Sequence, residues 1–441
     1  MRNTIILGSV LALLVACGDD EENENDNQTP AGATTFTVTF SNNATRWAIP
    51  NNGTGVANVP DGETDPGPAL SGQSYSFSFD AAPTYPTRMD TTRLQLATML
   101  VQSNDMFFAP GVNGIPLFDS TGAPIDNGDV TDQVLLWDAG TEVNDDDPAS
   151  FPPNTGAGTD EDGVVTELST PLTDLLSVVV TSEEIDRVVR FTVTVNNLSS
   201  AANSNETPIS PVVWAIENAP DRAATDPGLL FTVDQPDLGE GLQAVAEDGD
   251  ASMLAASLAA RSGVIQVASP GVWAVHTMDQ PFFTPGMPDR GDGLEAIAED
   301  GSVAALAGAL PGQAGIQSSG ELGSAPTPPG GTVSFTVTAE PGDRLSLTTM
   351  AVRTNDWILS TPSAGVDLFD ADGNAISGSL GELRLYDVGT EVDQTIAVGL
   401  DQVGLQAGAD TGAVDPDTSV RRIMPAAFPT DVFDVTVTPG S

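Results

Sequence analysis

The chain repeats itself. A hydrophobic run ending Leu135-Leu136-Trp137 passes into Asp138-Ala139-Gly140-Thr141-Glu142, and a later run ending Leu385-Tyr386 passes into Asp387-Val388-Gly389-Thr390-Glu391. Each copy places two acids four positions apart, with a Gly between them that permits a sharp turn where a strand runs out. Upstream, Arg93-Leu94-Gln95-Leu96-Ala97-Thr98-Met99 leads to Ser103-Asn104-Asp105-Met106, and Arg344-Leu345-Ser346-Leu347-Thr348-Thr349-Met350 leads to Thr354-Asn355-Asp356-Trp357. A third match lies between them, Leu117-Phe118-Asp119 against Leu368-Phe369-Asp370. Three ordered anchors at matched spacing make a duplicated structural unit, and any fold must accommodate that unit twice.

The segments around the anchors read as strands. Thr35-Phe36-Thr37-Val38-Thr39-Phe40 and Ser74-Tyr75-Ser76-Phe77-Ser78-Phe79 alternate with period two, which gives each one apolar and one polar face. Thr, Val, Phe and Ser dominate such runs, and Gly, Pro, Asn and Asp separate them. No helical periodicity appears before residue 200, so the expected class is all-β, with two antiparallel β-sandwich domains. The expected division is 34–196 for the first sandwich and 197–441 for the second. Phe191-Thr192-Val193-Thr194-Val195 fits both as a closing strand and as an opening one, so the joint between the two is expected to be intimate.

A smaller repeat is expected to be an insertion in the second domain, over 210–310. Ser210-Pro211-Val212-Val213-Trp214-Ala215 returns as Ser269-Pro270-Gly271-Val272-Trp273-Ala274, and Gly241-Leu242 through Glu247-Asp248-Gly249 returns as Gly293-Leu294 through Glu299-Asp300-Gly301. Each Gly-Leu phrase leads into an Ala/Leu-rich segment of good helix propensity, over 251–260 and 303–310. Short helical excursions on the sandwich edge are the expectation. The acid pairs Glu247-Asp248 and Glu299-Asp300 read first as solvated helix-to-turn junctions.

Charge narrows the partners. The 441 residues carry 62 acids against 14 basic residues, all of them Arg, for a formal net charge of -48. Such a chain repels nucleic acid and anionic headgroups, and its natural small partners are cations. At the start, Met1-Arg2-Asn3 and the apolar run Thr4 to Ala16 have the form of a secretory leader, with a core too short to span a bilayer. Leu14-Val15-Ala16-Cys17 resembles a bacterial lipobox. Cys17 is the only cysteine, so it has no intramolecular disulfide partner, and it is the expected lipidation site. Residues 1–17 are then the signal peptide and 18–33 a disordered acidic stalk. Contact with the membrane would run through the lipid anchor alone, and Gly18 after the cysteine favours the outer membrane or cell surface.

The phrases Arg-Leu-x-Leu-x-Thr-Met, Ser/Thr-Asn-Asp and Trp/Tyr-Asp-x-Gly-Thr-Glu resemble the spondin N-terminal domain, an extracellular sandwich of matrix proteins and bacterial secreted proteins. The resemblance covers most of residues 35–441. It implies a bound calcium in each domain and a role in adhesion or matrix contact, with an extracellular-matrix or cell-surface polymer as partner. Carried over position by position, it implies Asp105, Asp138 and Glu142 as ligands in the first copy and Asp356, Asp387 and Glu391 in the second. Animal members tend to have Asp where Glu142 and Glu391 stand, and they use cysteines that this chain lacks.

Read from the residues alone, these acids suit either calcium or a solvated loop, because calcium takes six to eight oxygens from carboxylates, carbonyls and water. Arg93 and Arg344 read either as partners of a carboxylate within the domain or as solvent-facing strand-edge residues. Trp137 and Trp357 read as core or loop-base aromatics.

Enzyme readings find little support. His276 is the only histidine and its counterpart in the smaller repeat is Glu217, so a duplicated His-based triad is ruled out. No Gly-rich phosphate loop follows a strand. The expectation is a non-enzymatic, lipid-anchored calcium-binding protein. The alternatives are a carboxylate-dependent hydrolase of surface glycans or a passive cation-buffering envelope protein.

The net charge makes a direct prediction. Counterions screen self-repulsion in the compact state, so the melting temperature should rise between dilute buffer and molar sodium chloride. A midpoint indifferent to salt would contradict it.

Overall fold

Phe36, Val38, Phe40 and Asn42 are buried while the residues between them face outward, so strand β1 (Thr34–Asn42) has the period-two burial expected of it. Its neighbours are not those of the first sequence copy. The computed structural model describes residues 32–45, 47–82, 92–125, 128–144, 158–185, 188–203, 206–218, 223 and 226–440. The leader, Cys17 and nearly all of the expected stalk lie outside the described residues, as does the acidic segment 145–157.

After β1 the chain forms β2 (Thr54–Ala57), β3 (Ser74–Ala81), β4 (Thr92–Met99), β5 (Met106–Pro110), β6 (Val134–Asp138), β7 (Thr166–Leu168), β8 (Leu176–Ile185), β9 (Val188–Asn197) and β10 (Val212–Asn218). Helices α1 (Leu242–Asp248) and α2 (Ser252–Ala260) follow. Strands β7-β6-β5-β4-β10-β2 form one sheet, and β3-β9-β8 form a second with Gly128–Asp129 at its edge. Side chains of both sheets, among them Leu96, Phe108, Phe191 and Val193, share one hydrophobic cluster. The alternate residues Ala97, Phe107 and Val213 face the other way and pack against Leu242, Val245, Leu254 and Leu258 of the helices. The helices therefore cover a sheet face rather than an edge, which is why β4 is buried almost throughout.

The remaining chain repeats this plan with β11 (Ala268–His276), α3 (Leu294–Asp300), α4 (Ala304–Ala309), β12 (Ile316–Leu322), β13 (Thr332–Ala339), β14 (Arg344–Ala351), β15 (Trp357–Ser360), β16 (Gly378–Glu382), β17 (Arg384–Asp387), β18 (Arg421–Ile423) and β19 (Phe433–Pro439). One sheet runs β12-β11-β14-β15-β17-β18 and the other β13-β1-β19-β16. The fold is all-β with short helices, and its main sheets are antiparallel. Among the described residues no helix is long and apolar enough to cross a membrane.

The pairing corrects the expected boundary at 196/197. β1 lies between β13 and β19, with Val38 opposite both Phe335 and Val437. β9 fills the same place between β3 and β8. The two positions match in detail. Asn42 donates from Nδ2 to the carbonyls of Gln266 and Thr327, both at 2.9 Å, and Asn197 donates to those of Ala69 and Thr207 at 3.0 and 2.7 Å. The expected insertion over 210–310 divides likewise. β10, α1 and α2 pack on the first unit, whereas β11, α3 and α4 pack on the second. Ser210 Oγ accepts from Met99 N at 2.8 Å, and its counterpart Ser269 Oγ accepts from Met350 N at 3.0 Å.

The first unit is thus a continuous stretch inserted between the opening strand of the second unit and the rest of it. Outgoing Ile49–Pro50 and returning Ser262–Gly263 pair side by side at the crossing. Phe36-Thr37-Val38 and Phe191-Thr192-Val193 present equivalent faces, so alternation alone does not say which sheet each strand enters.

Phe40 is buried and stacks on Phe433 at 6.0 Å. Phe40→Ala should cost about 3–5 kcal/mol and should accelerate hydrogen exchange over 268–437. Phe191→Ala should loosen 92–216 instead. Loosening of the first unit by Phe40→Ala would refute the assignment of β1.

Candidate metal centres

Asp105 precedes β5 and Asp138 ends the neighbouring β6, so antiparallel pairing of Met106 with Asp138 brings the two acids together. The same pairing, Trp357 with Asp387, unites Asp356 and Asp387. A hydroxyl two residues upstream fixes each approach. Ser103 Oγ donates to Leu100 O at 2.6 Å and accepts from Met106 N at 3.1 Å, and Thr354 Oγ1 does the same with Ala351 O and Trp357 N at 2.7 and 3.2 Å.

The turn after each strand folds over the buried carboxylate. Gly140 and Gly389 have φ of +67° and +76°, a region that L side chains rarely adopt. A Cβ at Gly140 would lie 2.4 Å from Val164 N. With the turn so placed, Thr141 N and Glu142 N donate to Asp105 Oδ2 at 2.8 and 3.0 Å, and Thr390 N and Glu391 N donate to Asp356 Oδ2 at 2.7 and 3.1 Å. Asp138 Oδ1 and Asp387 Oδ1 accept from Gly140 N and Gly389 N at 2.7 and 2.8 Å. The other oxygen of each central acid, Oδ1 of Asp105 and of Asp356, is buried without a hydrogen-bond partner. A buried carboxylate oxygen in that state is costly unless a cation meets it.

In the second unit Asp356, Asp387 and Asp393 each offer an oxygen, all within 4.8 Å of one another. Oxygens about 2.4 Å from a shared calcium can be no more than about 4.8 Å apart, so the trio fits that ion. The expected third ligand, Glu391, is not among these three, and Asp393 stands in the group instead. Glu391 turns away, accepting from Gly412 N at 2.6 Å and Asn355 Nδ2 at 3.2 Å. Its carboxylate ties the following loop to the turn, and Glu142 does the same beneath Gly158. The residue at the Asp393 position in the first unit is Asn144, which donates to Asp138 Oδ2. Asp105 and Asp138 are brought together there, but Glu142 does not complete a cluster of three carboxylates with them. Asp393 lies two positions beyond Glu391, and the sequence signal that could have found it was this Asp-for-Asn difference.

The second centre carries its own counter-charge. Arg421 Nη2 donates to Asp387 Oδ2 at 2.5 Å and to Asp415 Oδ2 at 2.6 Å, whereas Thr166 occupies the Arg421 register in the first unit. Even so, burial, with help from the Asp356 and Asp393 charges, pushes the Asp387 carboxyl up to about 7. Burial also raises Asp105, Asp356, Glu391 and Asp393. Trp357 closes the base of the centre, its Nε1 donating to Asp393 Oδ1 at 2.5 Å. Trp137 instead packs in the core against Phe231, with ring centroids 4.7 Å apart.

The other singled-out residues lie elsewhere. Arg344 pairs with Asp279 at 3.0 Å at the start of β14, the opposite end of that strand from Asp356. His276 is buried, with ring nitrogens 2.7 Å from Met278 O and 2.8 Å from Ser346 Oγ. Of the acid pairs read as solvated junctions, Glu299 is only 3% exposed, and burial raises it to about 8.

No protein-family model matches the chain, and no curated protein matches it.

The raised acids predict a pH dependence. A carboxyl whose folded pKa exceeds its unfolded value binds its proton more tightly when folded. Its contribution is complete below the ordinary carboxylate range and is lost as pH rises through about 7 for Asp387 and about 8 for Glu299. In chelator the melting temperature should therefore fall between pH 6 and 8.5, and Glu299→Gln should flatten that fall. A wild-type midpoint constant across this window would contradict the assignment.

Proposed function

We propose that this chain is a calcium-binding surface protein, non-enzymatic, that acts in adhesion or extracellular-matrix contact and is held at the cell envelope through lipidated Cys17. One observation carries the calcium reading. In both units a central Asp commits one oxygen to two backbone N–H groups of the repeated Asp-x-Gly-Thr-Glu turn and leaves the other buried and unpartnered beside a second acid. Asp356, Asp387 and Asp393 would hold the ion in the second unit, and Asp105 and Asp138, with the amide oxygen of Asn144, in the first. The ion would supply positive charge that joins strand ends to loop and relieves repulsion among carboxylates.

Oxygen donors without nitrogen or sulfur suit a hard cation. The spondin-like phrases support an extracellular setting and a polymer partner. The lipobox-like Leu14-Val15-Ala16-Cys17 supports the anchor.

Calcium at about one hundred times its dissociation constant should stabilise the folded chain by roughly 2.7 kcal/mol per site. In a thermal melt of the full chain, calcium should raise the midpoint beyond an ionic-strength control, and Asp138→Asn with Asp387→Asn should remove most of the gain. An undiminished shift would refute the ligand assignment. Cells displaying the chain should attach to a matrix polymer in calcium and detach in chelator, and attachment indifferent to chelator would sink the adhesive role.

A further inference from the structure

The second unit holds another group of acids that the first unit does not reproduce. Glu295 and Glu299 stand four apart on α3, and Asp410 reaches them from the loop after β17. Each offers an oxygen within 4.8 Å of the others. Glu299 is 97% buried by its 3% exposure, and its Oε1 has no hydrogen-bond partner. Among the described residues, no Arg forms an ion pair with any of the three.

The first unit carries different residues at the corresponding positions. At the Glu295 position stands Gln243, whose Nε2 donates to Glu247 Oε1 at 2.8 Å, so the acid at the Glu299 position has a neutral donor. The loops align through equivalent bonds, Val143 N to Thr159 O and Val392 N to Ala413 O, both at 2.7 Å. Counting back from these, Asp410 aligns with Gly156, which has no carboxylate. Relative to the first unit, the second has lost a donor and gained two acids around one buried, unpartnered oxygen.

We propose that Glu295, Glu299 and Asp410 bind a further calcium ion, which pins α3 to the 408–412 loop. Three oxygen donors from a helix turn and a loop leave room for water, in keeping with the six to eight ligands of calcium. The site adjoins the Asp356 centre. The Thr390 hydroxyl, close to Glu299, donates to Asp356 Oδ2 at 3.2 Å, and Gly412, in the pinned loop, donates to Glu391. Filling one site orders the loop and turn that frame the other. The inference shares calcium chemistry with the function proposed above but none of its ligand residues.

Calcium bound per full chain, measured by equilibrium dialysis, tests it. Glu295→Gln with Glu299→Gln should lower the stoichiometry by one, and Asp356→Asn with Asp387→Asn should lower it separately. An unchanged stoichiometry in the first double variant overturns the proposal. If only the second pair leaves the count unchanged, the ligand assignment at Asp356 falls and this site stands. Glu295→Gln alone recreates the Gln243 arrangement and guards against misfolding of the double variant. It should weaken one equivalent about tenfold, and wild-type affinity at every equivalent would overturn the proposal.

Discussion

Everything at the strand ends depends on how Asp105 and Asp356 divide their two oxygens. One oxygen accepts two backbone N–H groups from the turn, and this fixes the path of Asp-x-Gly-Thr-Glu over the end of the sheet. The other is left facing acids. Two amide donors favour the ionised form, yet burial outweighs them and the carboxyl is raised in both units. The architecture therefore sets a charge problem twice, and the units answer it differently. Asn144 tempers the first, while Arg421 offsets the extra charge of Asp393 in the second.

The three layers follow from alternation on a single strand. In β4, Leu94 and Leu96 face the partner sheet, while Ala97 belongs to the cluster under the helices. The same arrangement on β14 places Leu345 and Leu347 in one cluster and Met350 in the other. Because the helices lie over the sheet that carries the acidic turn, α3 can deliver Glu299 to Thr390 beside Asp356.

Much of this was legible in the sequence. Period-two runs located the strands, the anchor phrases located Asp105 with Asp138 and Asp356 with Asp387, and Ala/Leu content located the second helix of each pair. The Gly-Leu phrases proved helical as well. What was not legible depended on contacts distant in sequence. Phe36 to Asn42 and Phe191 to Asn197 carry one pattern, so only the assembled sheets reveal that the first serves the second unit and the second serves the first. Glu391 and Asp393 are both plausible acids by position, and the choice between them is made by Gly412, whose amide draws Glu391 aside. Glu299 reads as a surface acid until the 410 loop covers it.

The path of β1 bears on how the molecule is made. Val38 lies opposite Val437, so this interior strand is synthesised well before the partner it pairs with. The first unit is continuous and can close while synthesis proceeds. Throughout that interval β1 exposes two bare edges rich in Phe and Val, a template for mispairing. The alternating Thr and Ser residues and the preceding acids keep that nascent segment solvated until its slot exists.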